Sequence, residues 1–307
     1  MPIGAFRPAS NAQKLALQAR DLSSRMPELL LAARHIAATT MMGRHARRKQ
    51  GVGENFWQFR PYSVGEAVSA IDWRRSARDF QTYVRDHEWE TAQTVWIWPD
   101  NSLSMQFQSK YATRSKTDQA ILLSLALADI FSRSGERIAI PNIMEPITTK
   151  NSAEHAAFAL FHTHKEQKKY ALNTDLLPVY PNSHLFVLSD FLDEPDNIIK
   201  QLQPLTQKKI SLHLIEIADP AEETFPYHGR VEFTAPNQQA IYIAGRAETL
   251  RDDYRKLYFA RRETLRQEAT KRGWTYSISR TDEALTKIIL HLSDLLNVMN
   301  SLESKMP

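Results

Sequence analysis

Cysteine is absent from the 307 residues, so disulfides, thiolate metal sites and cysteine nucleophiles are excluded. A reducing setting suits such a chain, and a cytoplasmic location is the expectation. Glycine is scarce, with nine residues, which leaves no room for long flexible linkers or a glycine-rich low-complexity tract. The most apolar run, AILLSLALADIF at 120–131, is too short to span a bilayer and is interrupted by Ser124 and Asp129. The opening MPIGAFRPASNAQK lacks the apolar core of a secretory signal. Missing too are a GxxxxGK[ST] loop, a GxGxxG after a strand, HExxH and GxSxG, the usual marks of NTPases, dehydrogenases, zinc proteases and serine hydrolases. A non-enzymatic protein is therefore expected.

A hydrophobic content of 42% with 24% charged residues gives a chain able to bury a core, which argues against disorder throughout. Its net charge of +4 is uneven. Residues 1–60 carry ten Lys/Arg against three Asp/Glu, and the remainder carries 29 against 32. Much of the excess lies in GRHARRKQG, residues 43–51, which reads as an exposed basic loop. With Phe56, Trp57 and Phe59 nearby, that loop supports an alternative reading as a nucleic-acid-binding module, although a solvated loop is the commoner occurrence.

Two parts are expected along the chain. Residues 1–92 read as a helical segment plus a small β-containing subdomain. Pro27 and Gly43 bracket a helix in MPELLLAARHIAATTMMG, and NFWQFRPY and TYVRDHEWE read as short strands flanking SVGEAVSAIDWRRSARDF. Residues 93–300 alternate apolar strands with amphipathic helices, beginning with TVWIW, TDQAILLSLALADIFSRSG and RIAIPNI. That alternation predicts an α/β fold with a doubly wound, mostly parallel sheet covered on both faces.

In such a sheet, ligands bind beyond the carboxyl ends of the strands, where the strand order reverses. WPDNSLSM, residues 98–105, leaves the first of these strands with Asp100, Ser102 and Ser104 at every second position. One carboxylate and two hydroxyls turned toward a common centre are all-oxygen donors suited to Mg²⁺. HLFVLSDF brings Ser189 and Asp190 to another predicted carboxyl edge, where Asp190 serves equally well as a helix cap, and NTDLL places the Thr174 hydroxyl on a loop. His162 and His164, two apart on a predicted helix, point to different faces and do not chelate.

FRPYSVGEAVSAIDWRRSARDFQTYVRDHEWE resembles the signature of the domain-of-unknown-function-58 family, bacterial proteins encoded beside MoxR-type AAA+ ATPases. The match runs through Arg60, Tyr62, Gly65, Glu66, the IDWRRSAR segment and Tyr83, Val84, Arg85 and Glu88. Similarity extends to ADPAEETFPYHG, so that it covers roughly residues 30 to 295. The family continues into a von Willebrand factor A-like (Rossmann-like) domain with a metal-ion-dependent adhesion site. The resemblance implies Asp100, Ser102 and Ser104 as metal ligands, with Thr174 and Asp190 as the remaining candidates. It further implies Mg²⁺ as cofactor, a MoxR-type ATPase and a protein client as partners, and chaperone-like assembly or maturation as the process. Pro99, Pro178 and Pro181 depart from the family pattern. Asp72, Trp73, Arg74 and Arg78, with Arg60 and Tyr62, are expected to pin the two parts together, the alternative being a partner-docking surface on a metal-free scaffold.

Overall fold

A computed structural model describes residues 28–39, 58–63, 68–78, 81–86, 93–165, 183–208, 210–235 and 241–292. Thr174, the whole basic loop (residues 43–51) and its neighbours Phe56 and Trp57 lie outside the described residues. The chain forms two compact units, residues 44–92 and the remainder. Helix α1 (residues 28–39) is a correction to the predicted division: it belongs to the larger unit, where Leu29, Ala33 and Ala37 join the core. Its spacing of small and apolar residues makes a stripe, and the stripe goes to the larger core available.

In the small unit, β1 (Gln58–Pro61) pairs antiparallel with β2 (Tyr83–Asp86). The short helix α2 (Trp73–Ser76) between them is capped by Asp72, whose Oδ1 accepts from the Arg75 amide at 2.9 Å. Ser76 Oγ donates to the Asp72 carbonyl at 2.8 Å and accepts from the Tyr83 amide at 2.8 Å. Two members of the IDWRRSAR segment thus tie helix to strand within the unit.

The larger unit is built on a six-stranded sheet in the order β10-β7-β6-β3-β4-β5. Its strands are β3 (Thr94–Pro99), β4 (Arg137–Ile140), β5 (Met144–Ile147), β6 (Ser183–Ser189), β7 (Ile210–Ala218) and β10 (Thr275–Arg280). All pairings are parallel except the β4–β5 edge. Alternate side chains enter opposite cores. Val95, Ile97, Phe186 and Leu188 pack beneath α1, α3 (Lys116–Arg133), α4 (Ser152–Lys165) and α8 (residues 285–292). Trp96, Leu185 and Val187 pack on the other face against α5 (Pro195–Gln207) and α7 (Arg251–Lys271). Burial of such side chains contributes roughly 1.5–3 kcal/mol each, and burial on both faces explains why the strands read as unbroken apolar runs.

The central helix α3 begins at Ser115, whose side chain accepts from the Asp118 amide, and stops where Gly135 adopts φ 89. There the Gly135 and Glu136 amides bond back to Ser132 and Phe131. A separate ribbon of β8 (Val231–Thr234) and β9 (Ile241–Ala244) follows the short helix α6 (Pro220–Thr224) and packs Phe233 on Phe225. The sequence reading did not anticipate this ribbon, whose β9 leaves Ile241, Tyr242 and Ile243 exposed. No helix among the described residues is long and apolar enough to cross a membrane.

Strand order reverses between β3 and β6: from β3 the chain moves out to β4 and β5, then returns to β6 on the other side. The carboxyl ends of these two strands form the crevice where ligands bind in sheets of this connectivity.

Candidate metal-binding site

Pro99 ends β3 without breaking the sheet. Alternate amides of a strand point to alternate neighbours, and the Asp100 amide donates to the Leu188 carbonyl at 2.8 Å on the β6 side. The Pro99 nitrogen therefore faces β4, where pairing has already ended at Trp96 opposite Ala139, and no ladder bond is lost. The same pairing with β6 carries Asp100 to a position next to Ser189.

The three oxygen-bearing side chains of the D-x-S-x-S segment gather. Asp100 Oδ1 accepts from the Ser102 amide at 2.9 Å, and Oδ2 accepts from Ser102 Oγ at 2.9 Å. Ser102 Oγ lies 3.0 Å from Ser104 Oγ. A 3₁₀ turn, Leu103–Gln106, follows and anchors Met105 in the core, which holds the two serines at the sheet edge. Ser189 adds a fourth oxygen, its hydroxyl donating to Asp100 Oδ2 at 2.8 Å and accepting from the Phe191 amide at 3.3 Å. Phe191 adopts a left-handed φ of 46, a strained conformation for a bulky residue, and it turns the chain sharply after Asp190. Burial raises the Asp100 carboxyl above its ordinary range, with the neighbouring Asp190 adding to the rise and hydrogen bonds from Ser189 and Ser102 opposing it.

These donors fit a hard divalent cation. All are oxygens, as Mg²⁺ prefers, and the hydrogen bonds of 2.9 and 3.0 Å that join Asp100, Ser102 and Ser104 keep the three together at one edge. Among the described residues, no three His, Cys, Asp or Glu side chains group as a metal site, so a cation here depends on the hydroxyls.

Asp190 lies close to this cluster, yet Lys116 engages it. The Lys116 ammonium donates to Asp190 Oδ2 at 2.9 Å and to Glu222 Oε1 at 2.5 Å. Its side chain is wholly inaccessible to solvent, and Asp190 and Glu222 are nearly so. Burial alone would lower the lysine, but the two carboxylates outweigh it and hold the ammonium above its usual range. Burial raises Glu222 despite the attraction of Lys116.

Glu222 is placed by a capping box on α6: Asp219 Oδ1 accepts from the Ala221 amide at 2.8 Å, and Glu222 Oε2 accepts from the Asp219 amide at 3.1 Å. Asp219 Oδ2 also takes the Ser109 amide at 2.9 Å, which ties the loop after β3 to this corner. Lys116 and Glu222 escaped the sequence reading. A signal existed for the first, since a lysine in the first turn of a helix opposes the macrodipole unless carboxylates surround it.

Beyond Glu222 a second network begins. Glu216, buried on β7, accepts from Arg262 at 2.9 and 2.8 Å, from Tyr258 at 3.0 Å, and from Tyr276. Arg262 also reaches Glu223 at 2.7 Å, and Glu223 receives Arg280 at 3.0 Å. A cleft of about 390 Å³ lies beside edge strand β10, lined by residues including Arg266, Arg280, Lys287 and His291. Three of its cations are paired to Glu263, Glu223 and Glu283, so it carries less unspent charge than the residue types suggest.

In the small unit, Trp73, Arg74 and Arg78 are exposed, and Tyr62 is half-buried with its amide on the Thr82 carbonyl. The guanidinium over a ring is that of Arg75, 5.0 Å from the Tyr83 centroid. Arg60 belongs to β1. His162 packs against Phe158, with ring centroids 4.2 Å apart, in keeping with a role on the helix surface.

The architecture and this crevice define an α/β protein with an oxygen-rich site at the reversal of its strand order. The chain belongs to the DUF58 family of proteins of unknown function, whose profile matches residues 58–264. No curated protein sequence matches it. Among solved structures it is similar to the conserved hypothetical protein BatB from Bacteroides thetaiotaomicron, with a TM-score of 0.45, 14% identity, and coverage of 67% of this chain and all of that one. It is also similar to an aerotolerance-related membrane protein from Bacteroides fragilis, with a TM-score of 0.41, 14% identity, and coverage of 64% of this chain and 96% of that one. At those scores the likenesses carry no argument about function.

Proposed function

We propose that the larger unit is a von Willebrand factor A-like domain and that the protein is a non-enzymatic, metal-dependent interaction protein. Mg²⁺ is held by Asp100, Ser102 and Ser104, and an acidic side chain from another protein completes its shell. By family resemblance the partner is a MoxR-type AAA+ ATPase, which supplies the ATP hydrolysis for which this sequence has no motif, and together they assemble or mature other protein complexes in the cytoplasm. The observation that carries the reading is the joined set of Asp100, Ser102 and Ser104 oxygens at the point where strand order reverses. Thr174 remains a candidate ligand by resemblance, and Asp190 a contributor of charge. The test is co-purification of a MoxR-type ATPase on the immobilised protein, with Mg²⁺ or with EDTA. Retention that needs both Mg²⁺ and Asp100 supports the reading, and retention indifferent to both defeats it.

A second reading is favoured by one observation: the Trp73 indole is 63% exposed beside exposed Arg74 and Arg78. On this reading the same fold is a metal-free scaffold that docks its partner through IDWRRSAR. Retention by Asp100→Ala with loss by Arg78→Ala selects it.

A further inference from the structure

Lys116 is the first residue of α3, where the helix already presents the positive end of its dipole. A wholly buried ammonium there is unfavourable unless matched, and it is matched twice, by Asp190 at the end of β6 and by Glu222 on α6. The Phe107 ring, its centroid 5.8 Å from the ammonium, flanks it. The lysine also closes the loop that opens with Asp100, its own amide donating to the Phe107 carbonyl at 3.2 Å and the Thr117 hydroxyl to the Met105 carbonyl at 2.9 Å. One end of this loop thus carries the candidate ligands and the other end carries a fixed positive charge.

That charge acts on Asp190. Of its two oxygens, Oδ2 is taken by Lys116 at 2.9 Å, and Oδ1 accepts a long bond of 3.4 Å from the Leu192 amide. A carboxylate fixed in this way cannot swing freely toward a cation beside Asp100. We propose that Lys116 is a positioning residue that sets the affinity of the site: it holds Asp190 out of direct ligation and leaves that part of the metal's shell to water and to a partner's carboxylate. The inference rests on the metal-binding reading above and gives it a physical consequence. A protein built this way holds Mg²⁺ weakly alone and firmly once an acidic partner arrives. Release of Asp190 would supply the missing carboxylate internally and make the partner less necessary.

The experiment is titration of Mg²⁺ alone into the wild type, Asp100→Ala, Lys116→Met, Lys116→Met/Glu222→Gln and Lys116→Met/Asp190→Asn, each checked for a cooperative unfolding transition. The first double variant removes one charge of each sign and keeps Asp190, so it answers the question if the single variant does not fold. Lys116→Met or its Glu222→Gln double should bind Mg²⁺ at least about tenfold more tightly than the wild type, and Asp190→Asn in the Lys116→Met background should abolish that gain. Asp100-dependent binding by the wild type with no tightening in the Lys116 variants overturns this inference and leaves the metal reading intact. Absence of binding in every protein, or equal binding by wild type and Asp100→Ala, removes both.

Discussion

Ser189 and Asp100 meet across two adjacent parallel strands, the Ser189 hydroxyl donating to Asp100 Oδ2 at 2.8 Å. The bond joins the carboxyl ends of β3 and β6 and fixes the orientation of the carboxylate. Ser189→Ala removes a hydrogen bond to a charged acceptor at a buried position, which costs about 2 kcal/mol. Urea denaturation at neutral pH should show that loss, and the Mg²⁺ affinity should fall with it because Asp100 loses its fixed orientation.

Asp100 illustrates the opposite balance. Burial raises its carboxyl, so the ionised form is held at a cost to the fold, with Asp190 adding to that cost. Asp100→Asn keeps the shape and removes the charge. Its thermal midpoint should equal or exceed that of the wild type while Mg²⁺-dependent stabilisation disappears, and a large fall in midpoint would show that the carboxylate has a structural role.

A row of buried groups crosses the opposite end of the sheet. His184 bonds Gln93 at 3.0 Å and His213 at 3.0 Å, and His213 bonds Thr275 at 2.9 Å. With the Gln93 oxygen as acceptor, each histidine is neutral with its proton on Nε2. Burial lowers His213 to about 3, with His184 adding to the fall. The unfolded chain therefore takes up a proton that the folded chain refuses. Stability is full above pH 6.5 and falls between 6.5 and about 3, by about 3 kcal/mol at pH 4 from this residue. Urea titrations at pH 7 and pH 4, with ¹⁵N spectra of the imidazoles, check both the loss and the tautomers.

Glu216 and Arg262 form a buried pair, whereas Arg266 and Glu263, on the same helix, form an exposed one. Arg262→Met strands a carboxylate that is 1% exposed, and the expected cost is about 3–5 kcal/mol. Arg266→Ala should leave the denaturation midpoint unchanged. Equal effects from the two variants would contradict the assignment of the buried network.

Much of this was legible in the sequence, for definite reasons. Strands β3 and β6 are buried on both faces, so TVWIW and HLFVLS read as continuous apolar runs, and Gly135 marks the end of α3. Asp100, Ser102 and Ser104 came together because they follow one another at the exit of a single strand. Lys116 was not legible as a partner, since 74 residues separate it from Asp190 and 106 from Glu222, and only the strand order brings them together. The membership of α1 in the larger unit was hidden for a related reason: its apolar stripe is the same whichever core receives it.

Calorimetric titration of Mg²⁺ into the wild type and Asp100→Ala, side by side in metal-free buffer, bears most directly on the account. It predicts saturable heat from one site per chain in the wild type and none in the variant. Identical curves for the two proteins, or no heat in either, would contradict it.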